Sequence, residues 1–173
     1  MTVIVLAIAA VLLAGCATTG MSTDNTARAE LRNAGGQAVG TATFTQVGNA
    51  VRILLEMRGA PAGTKGVHVH AVGKCDPPDF TTAGGHFNPG GRQHGTLNPQ
   101  GSHAGDLPNI TIAADGSGRL ETAAQQLTLL GGPNSVFDAD GSALVVHAAP
   151  DDFRTDPTGN SGARIACGVI VKP

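Results

Sequence analysis

The sequence Gly66-Val67-His68-Val69-His70 opens a stretch that ends at Asp106 and holds five of the six histidines of the chain. The sixth, His147, ends the apolar run Ala143-Leu144-Val145-Val146-His147. Successive side chains of a β-strand point to opposite faces, so His68 and His70 share one face and reach the same point. An isolated His-x-His pair is more typical of a solvated strand face. The concentration of histidines here instead favours a metal centre, and we interpret it as a two-metal site.

One half of that site is predicted from a single loop. His86, His94, His103 and Asp106 supply three imidazoles and one carboxylate, which is a complete tetrahedral set for zinc with no open position. A closed set of this kind is typical of a structural zinc. The metal would fix the loop to the strand that follows Asp106.

The other half needs one donor more. His68, His70 and His147 offer three nitrogens, whereas the tetragonal nitrogen geometry that copper(II) prefers needs a fourth. Among the histidines only His86 remains to give it. An imidazole has two nitrogens, so a fully deprotonated His86 would bridge the two metals.

Composition restricts the class of protein. A chain of 173 residues suits one domain with one core. Its 25 glycines and its lack of Trp and Tyr favour a protein of strands and turns over a helical bundle. The formal net charge is −2, and the sequence has no basic run and few aromatic side chains on which bases would stack. Nucleic-acid binding is therefore not expected.

Alternating apolar residues predict about eight short strands. Residues 37–46 and 51–58 alternate on either side of the turn Gly48-Asn49, and residues 107–113 and 117–122 flank a second turn. Two long segments, 73–106 and 148–162, lack periodicity and are rich in Gly and Pro, which is typical of functional loops. The expected fold is all-β, a sandwich or Greek-key barrel. The remaining strands are predicted at 29–33, 67–72, 127–130, 143–147 and 164–171.

The first residues predict export. Residues 1–16 form an apolar segment too short to span a membrane, and they end in Leu13-Ala14-Gly15-Cys16, which looks like a bacterial lipobox. We predict a signal peptide over residues 1–15, a lipid on Cys16, a flexible tether over residues 16–27 and one domain over residues 28–173. The alternative is a plain signal peptide with an incidental cysteine. No Lys or Arg precedes the apolar run, which is a departure from the usual pattern.

Two further cysteines remain, Cys75 and Cys167. In an exported protein such a pair favours one disulfide, here closing a loop of roughly 90 residues worth about 4–5 kcal/mol in the chain-entropy model. The alternative is that both are thiolate ligands of zinc, although neither lies in a Cys-x-x-Cys motif.

Over residues 28–173 the chain resembles the exported bacterial copper,zinc superoxide dismutases. The resemblance rests on five motifs, which are specific in combination. They are Gly66-Val67-His68-Val69-His70, Gly84-Gly85-His86-Phe87-Asn88-Pro89, His103-Ala104-Gly105-Asp106, Leu144-Val145-Val146-His147 and Gly159-Asn160-Ser161-Gly162-Ala163-Arg164-Ile165-Ala166-Cys167-Gly168.

The resemblance implies a role for each matched residue. It implies an eight-stranded Greek-key β-barrel, copper on His68, His70, His86 and His147, and zinc on His86, His94, His103 and Asp106. It also implies the Cys75–Cys167 disulfide and a carboxylate, Asp151, that links His68 to His94. Arg164 would attract and position superoxide beside the copper.

The implied reaction converts two superoxide ions and two protons into oxygen and hydrogen peroxide. Copper would carry the electron, His86 would leave the copper and carry a proton, and zinc would do no redox work. Segment 151–162 has one Arg, Arg154, and no Lys. Steering of the anion would therefore rest on Arg164, Arg154 and Lys74. The expected location is the bacterial cell envelope, with the lipid on Cys16 in a membrane. A homodimer is compatible with the family, but the sequence marks no interface.

Two other functions fit parts of the sequence. One is a non-catalytic copper and zinc reservoir on the same scaffold, which the loss of a copper ligand or of Arg164 would favour. The chain keeps all of these residues. The other is a zinc hydrolase, which needs an open zinc position and a nearby general base, and the four-ligand zinc set argues against it.

Overall fold

The computed structural model describes residues 25–173. This part of the chain forms nine β-strands, and every pair of neighbouring strands is antiparallel. The expectation of an all-β fold is confirmed. The strands are β1 (Thr26–Arg32), β2 (Ala38–Val47), β3 (Ala50–Met57), β4 (Gly63–Lys65), β5 (Val67–His70), β6 (Ile110–Ile112), β7 (Gly118–Ala124), β8 (Ala143–His147) and β9 (Arg164–Val169).

A single residue joins the two strands at the ends of the sheet. Its strand order is β4-β6-β7-β3-β2-β1-β9-β8-β5, so β4 and β5 lie at opposite ends of the order. Only Gly66 separates them in the chain. Counted as one interrupted strand, β4 and β5 make the nearly closed eight-stranded Greek-key barrel that the resemblance implies.

Two details of the strand prediction are wrong. The predicted strand 67–72 ends at His70, and β4 forms just upstream, where no strand was predicted. Residues 127–130 form no strand and make only an isolated bridge between Thr128 and Ser135. The backbone of Leu129 and the hydroxyl of Thr128 instead donate to the side-chain oxygen of Gln46, at 2.8 and 3.1 Å. A long-range side-chain contact of this kind replaces the ladder that local alternation suggested.

The barrel interior is filled by alternate side chains of its strands. On β3, Val51, Ile53 and Leu55 are fully buried, and their neighbours are more exposed. Burying a large aliphatic or aromatic side chain contributes about 1.5–3 kcal/mol, so these rows are a major source of barrel stability. On β5 and β8 every residue is buried, because the barrel covers one face and loops cover the other.

The two long loops supply that outer cover. The first, residues 71–109, contains a short 3-10 helix (Thr81–Ala83) and is joined to β9 by the Cys75–Cys167 disulfide, as predicted. It lies against the outer edge of β5, where Phe87 donates to the carbonyl of Val69 at 2.8 Å and Val69 donates to the carbonyl of Gly105 at 2.9 Å. The second loop, residues 148–163, lies between β8 and β9. Together they form the space in which the histidines meet.

The predicted signal peptide and Cys16 lie outside the described residues. The predicted tether ran to Ala27, but β1 already begins at Thr26, so its last two residues belong to the barrel. Thr26 and Ala27 are held there because they pair with Thr45 and Phe44 of β2. In residues 25–173 no helix is long and apolar enough to cross a membrane.

Candidate metal centre

Sheet register brings three histidines to one face. His68 and His70 lie on β5 and His147 ends β8, its hydrogen-bonded neighbour. His86 pairs with His70 across the outer edge of β5, and Asp106 pairs with His68 in the same way. All six histidines are buried. The common face of His68 and His70 is the one that alternation along a strand predicts.

Four imidazoles form a first group, in which one ring nitrogen of each lies near a shared point. One ring nitrogen from each of His68, His70, His86 and His147 lies within 4.8 Å of the others, and the Nε2 atoms of His70 and His147 are 3.4 Å apart. The other nitrogens are occupied. His70 Nδ1 donates to the carbonyl of Gly84 at 2.9 Å, and His147 Nδ1 donates to that of Gly162 at 3.1 Å. These bonds fix the tautomers and leave the Nε2 lone pairs facing the shared point.

Three buried ring nitrogens have no hydrogen-bond partner in the described residues. Nδ1 of His68 and Nε2 of His86 belong to this group, and the third, Nδ1 of His94, lies 3.0 Å from Oδ1 of Asp106. A buried polar atom without a partner costs free energy, so it needs a ligand that the protein chain does not supply. Four imidazole nitrogens suit copper. The residues therefore fit the copper site that the resemblance implies.

The carboxylate of Asp106 contacts three imidazoles, and these four residues form the second group. Oδ1 of Asp106 lies 3.0 Å from Nδ1 of His86, 3.0 Å from Nδ1 of His94 and 3.3 Å from Nδ1 of His103. Tetrahedral zinc with bonds of about 2.0 Å would hold its ligand atoms about 3.3 Å apart. The donor set and spacing fit zinc, and His86 presents its two nitrogens to the two groups.

His68 also falls within 4.8 Å of His86, His94 and Asp106 and would compete with His103 for this second group. We favour His103 because its Nδ1 reaches the Asp106 oxygen at 3.3 Å, within the spacing of one ion. The Nε2 of His68 is instead 2.8 Å from Asp151.

Asp151 joins the two groups. Its Oδ2 accepts from Nε2 of His68 at 2.8 Å, and its Oδ1 accepts from Nε2 of His94 at 2.9 Å. The side chain of Asn109 fixes the Asp151 backbone by accepting its N–H and donating to its carbonyl, each at 2.9 Å. A Cβ at Gly159 would overlap the Asp151 carboxylate and lie 2.6 Å from Nε2 of His94, so only glycine fits there.

The protonation states differ between the two groups. Burial lowers the pKa of His70 to about 2, that of His86 to about 4 and that of His147 to about 3. Neutral imidazole is the form that binds a metal, so this group is poised for binding. Burial also opposes protonation of His94, but hydrogen bonds to Asp106 and Asp151 outweigh it and raise its pKa to about 9. Hydrogen bonds from His103, His86 and His94 hold the pKa of Asp106 well below its usual range, and hydrogen bonds from His68 and His94 do the same for the pKa of Asp151.

An arginine lies at the mouth of the first group. Arg164 opposes His147 on the β8–β9 ladder, and its guanidinium donates to the carbonyls of Phe80 and Gly84 at 2.5 and 2.6 Å. It lines a cleft of about 660 Å³ together with His70, His86 and His147. Partial burial lowers its pKa, but from a value so high that the charge persists. Neither Arg154 nor Lys74 lines this cleft, and Arg154 donates to the carbonyl of Leu97 instead.

Sequence reasoning missed several supporting groups. The carbonyls of Gly84 and Gly162 orient His70 and His147, and carbonyls leave no signal in a sequence. Asn109 has no motif of its own. Asp156 accepts the backbone N–H of His94 at 2.5 Å across the two loops, and only its place in a loop that also carries Asp151 hinted at it.

The chain is similar to known proteins of one family. The family described as "Copper/zinc superoxide dismutase (SODC)" matches residues 38–170. The chain is 46% identical to "Superoxide dismutase [Cu-Zn] 2" of Aquifex aeolicus, covering 86% of this chain and 88% of that one. It is 43% identical to "Superoxide dismutase [Cu-Zn]" of Caulobacter vibrioides, covering 83% and 84%.

Among solved structures, it is similar to a SOD-like protein from Bacillus subtilis, with a TM-score of 0.79, 39% identity, and coverage of 83% of this chain and 97% of that one. A relative at 46% identity over most of both chains, together with the family match, leaves no other assignment. The chain belongs to the copper/zinc superoxide dismutase family.

Proposed function

We propose that His68, His70, His86 and His147 hold the copper of this superoxide dismutase. His86, His94, His103 and Asp106 would hold its zinc. The observation that carries the proposal is the pair of buried, unpartnered nitrogens at His68 and His86, which face the copper position. His86 is the bridge, because Nδ1 faces Asp106 at 3.0 Å and Nε2 is the unpartnered atom.

Copper, when bound, supplies one-electron redox chemistry that takes an electron from one superoxide and gives it to a second. The residues supply the rest. Arg164 attracts the anion into the cleft and holds it beside His147, and steering of this kind weakens as ionic strength rises. The reaction consumes two protons to make hydrogen peroxide. We assign the delivery of one of them to Nε2 of His86, since His86 lines the cleft and this atom has no hydrogen-bond partner in the described residues.

The test is superoxide decay catalysed by the disulfide-oxidised domain loaded with copper and zinc. We expect fast decay that requires copper, is absent from the metal-free protein and falls at least about 100-fold in His147→Ala. Loss of an outer partner alone commonly costs 10- to 100-fold, so loss of a ligand costs more. A loaded protein that binds copper but leaves the decay at the rate of buffer would instead support a metal reservoir.

We propose further that the protein is exported and lipid-anchored. The Cys75–Cys167 disulfide supports an oxidising compartment. The sequence Leu13-Ala14-Gly15-Cys16 supports lipidation, and residues 17–25 would allow a reach of about 30 Å from the lipid to β1. Labelling with an alkyne fatty acid in cells should mark the wild type and spare Cys16→Ser. Equal labelling of the two proteins, or a wild type that stays in the aqueous phase of a detergent partition, would exclude the anchor.

A homodimer belongs to the same proposal. The described residues include exposed large apolar side chains that a partner would cover, among them Val47, Leu97, Leu130 and Val171. Sedimentation of the soluble domain at micromolar concentration tests it, and the mass of a single chain would exclude the dimer.

A further inference from the structure

The five histidines other than the bridging His86 share one arrangement. In each, one nitrogen faces a metal position and the other meets an oxygen of the protein. His70 meets the carbonyl of Gly84, His147 meets that of Gly162, and His68 and His94 both meet Asp151. His103 is the remaining terminal histidine. Its Nε2 faces the carboxylate of Asp156, at 3.8 Å from Oδ1.

Asp156 is held in place by a second contact. The same Oδ1 accepts the backbone N–H of His94 at 2.5 Å. Asp156 belongs to loop 148–163, whereas both histidines belong to loop 71–109. One oxygen of one loop therefore touches two zinc-side residues of the other loop.

The surrounding backbone keeps the two loops in register. Leu97 donates to the carbonyl of Phe153 at 3.0 Å. A Cβ at Gly95 would overlap that carbonyl, so the chains approach as closely as glycine permits. Asp156 has little freedom to move away from His94, although its side chain is 45% exposed.

We propose that Asp156 is a positioning residue for zinc, and that it acts through the far nitrogen of His103 while it holds the backbone of His94. This inference rests on the proposed assignment of His94 and His103 to zinc. A separation of 3.8 Å is too long for a hydrogen bond and within range of a charge contact. A carboxylate at the far nitrogen of a zinc histidine makes the ligand more basic and fixes its ring. Asp151 occupies this place at His94, at 2.9 Å, and Asp156 occupies it at His103, at 3.8 Å.

Two substitutions separate the two contacts. Asp156→Asn removes the charge but keeps a carbonyl oxygen that can accept the His94 N–H, whereas Asp156→Ala removes both. The matched control is Asp152→Asn. Asp152 lies in the same loop, and its carboxylate accepts from residues of that loop, Arg154, Thr155 and Asn160.

Zinc affinity is measured by chelator competition on the disulfide-oxidised protein, with cobalt in place of zinc for the visible absorption bands. We expect about tenfold weaker zinc binding and altered cobalt bands in Asp156→Asn, and a larger loss in Asp156→Ala. Asp152→Asn should match the wild type, and copper affinity should stay within about threefold in all variants. Wild-type zinc affinity and cobalt bands in Asp156→Asn would overturn the inference, even if Asp156→Ala were impaired, because the role would then be structural. A wild type that gives no tetrahedral cobalt bands would instead overturn the zinc assignment itself.

Discussion

The two halves of the metal site are positioned by different kinds of structure, one by strands and the other by a loop. His68, His70 and His147 lie on β5 and β8, whose backbones are paired along their length. His94, His103 and Asp106 lie in loop 71–109, where the only regular element is the 3-10 helix Thr81–Ala83. The copper half thus takes its geometry from a sheet that forms with the barrel. The zinc half takes it from hydrogen bonds to carboxylates.

The two halves therefore differ in how strongly their structure depends on a single side chain. A ladder of backbone bonds does not depend on any single side chain, so the backbone of the copper half should keep its structure when one ligand is lost, even though activity falls. The zinc half depends on Asp106, whose Oδ2 also accepts the backbone N–H groups of Gly95 and His103 at 2.9 and 3.0 Å. Loss of that one carboxylate should therefore loosen the loop as well as the metal.

The largest expected effect comes from breaking the copper half. His70→Ala should lower dismutase activity by more than about 100-fold, since even outer partners of a metal ligand commonly account for 10- to 100-fold. Zinc affinity should change less than about threefold, because His70 is not in the zinc group. Stopped-flow superoxide decay and zinc competition measure the two. A parallel loss of zinc would mean that the halves are not independent.

Asp106→Ala should break the zinc half. We expect zinc affinity to fall by about 100-fold or more, because the carboxylate meets all three zinc-side imidazoles. Amide hydrogen exchange in residues 71–109 should quicken while β2 and β3 keep their protection. The matched control is Asp115→Asn, whose carboxylate accepts only from Ser117 nearby. Unchanged exchange in the loop would refute the dependence on this residue.

Asp151→Ala tests the link between the halves. Alanine removes both oxygens that accept the imidazole N–H groups of His68 and His94. We expect both metals to bind about 10- to 100-fold more weakly, in contrast to the one-sided effects above. Separate copper and zinc titrations of the metal-free variant give the answer. Weakening of one metal alone would show that Asp151 serves only one half.

The smallest expected effect is a difference in proton release. In the metal-free protein His94 has its pKa raised to about 9, whereas the pKa of His70 is lowered to about 2 and that of His147 to about 3. At pH 7 zinc binding should release about one proton, and copper binding to the zinc-free protein about none. Calorimetry in buffers of different ionisation enthalpy measures both. Equal release by the two metals would remove this contrast.

The same pKa values set the sign of the stability changes. His94 has a folded pKa above its usual value, so its stabilisation of the metal-free protein is full below about pH 6.5 and is lost as the pH rises through about 9. His70, His86 and His147 have folded pKa values below the usual one. They destabilise the folded state as the pH falls below about 6.5, because the unfolded chain binds protons that the folded one does not.

Local patterns predicted the parts of the site that local rules govern. The common face of His68 and His70 follows from alternation along a strand, and the end of β8 at His147 follows from the apolar run before it. The Cys75–Cys167 pair followed from counting cysteines and is confirmed. The pairing of His94 with Asp151 needed the family resemblance, because 57 residues separate them and only the fold brings them to 2.9 Å.

What the sequence hid was of two kinds. The carbonyls of Gly84 and Gly162 are backbone atoms that every residue carries, so no residue type marks them. The second kind is contact between distant segments, such as Gln46 with Thr128 and Asp156 with His94. Such contacts depend on the packing of whole loops, which periodicity does not describe.

The outer edge of β5 has a consequence for self-association. An unpaired strand edge is a template for another chain, and proteins commonly cover or charge such edges. Here loop 71–109 covers the edge through Phe87 and Gly105. If zinc fixes that loop, loss of zinc exposes the edge of β5, which carries His68 and His70. Chelation of zinc would then leave the barrel folded with an exposed strand edge to which further copies of the chain can bind. Aggregation should therefore begin before unfolding does.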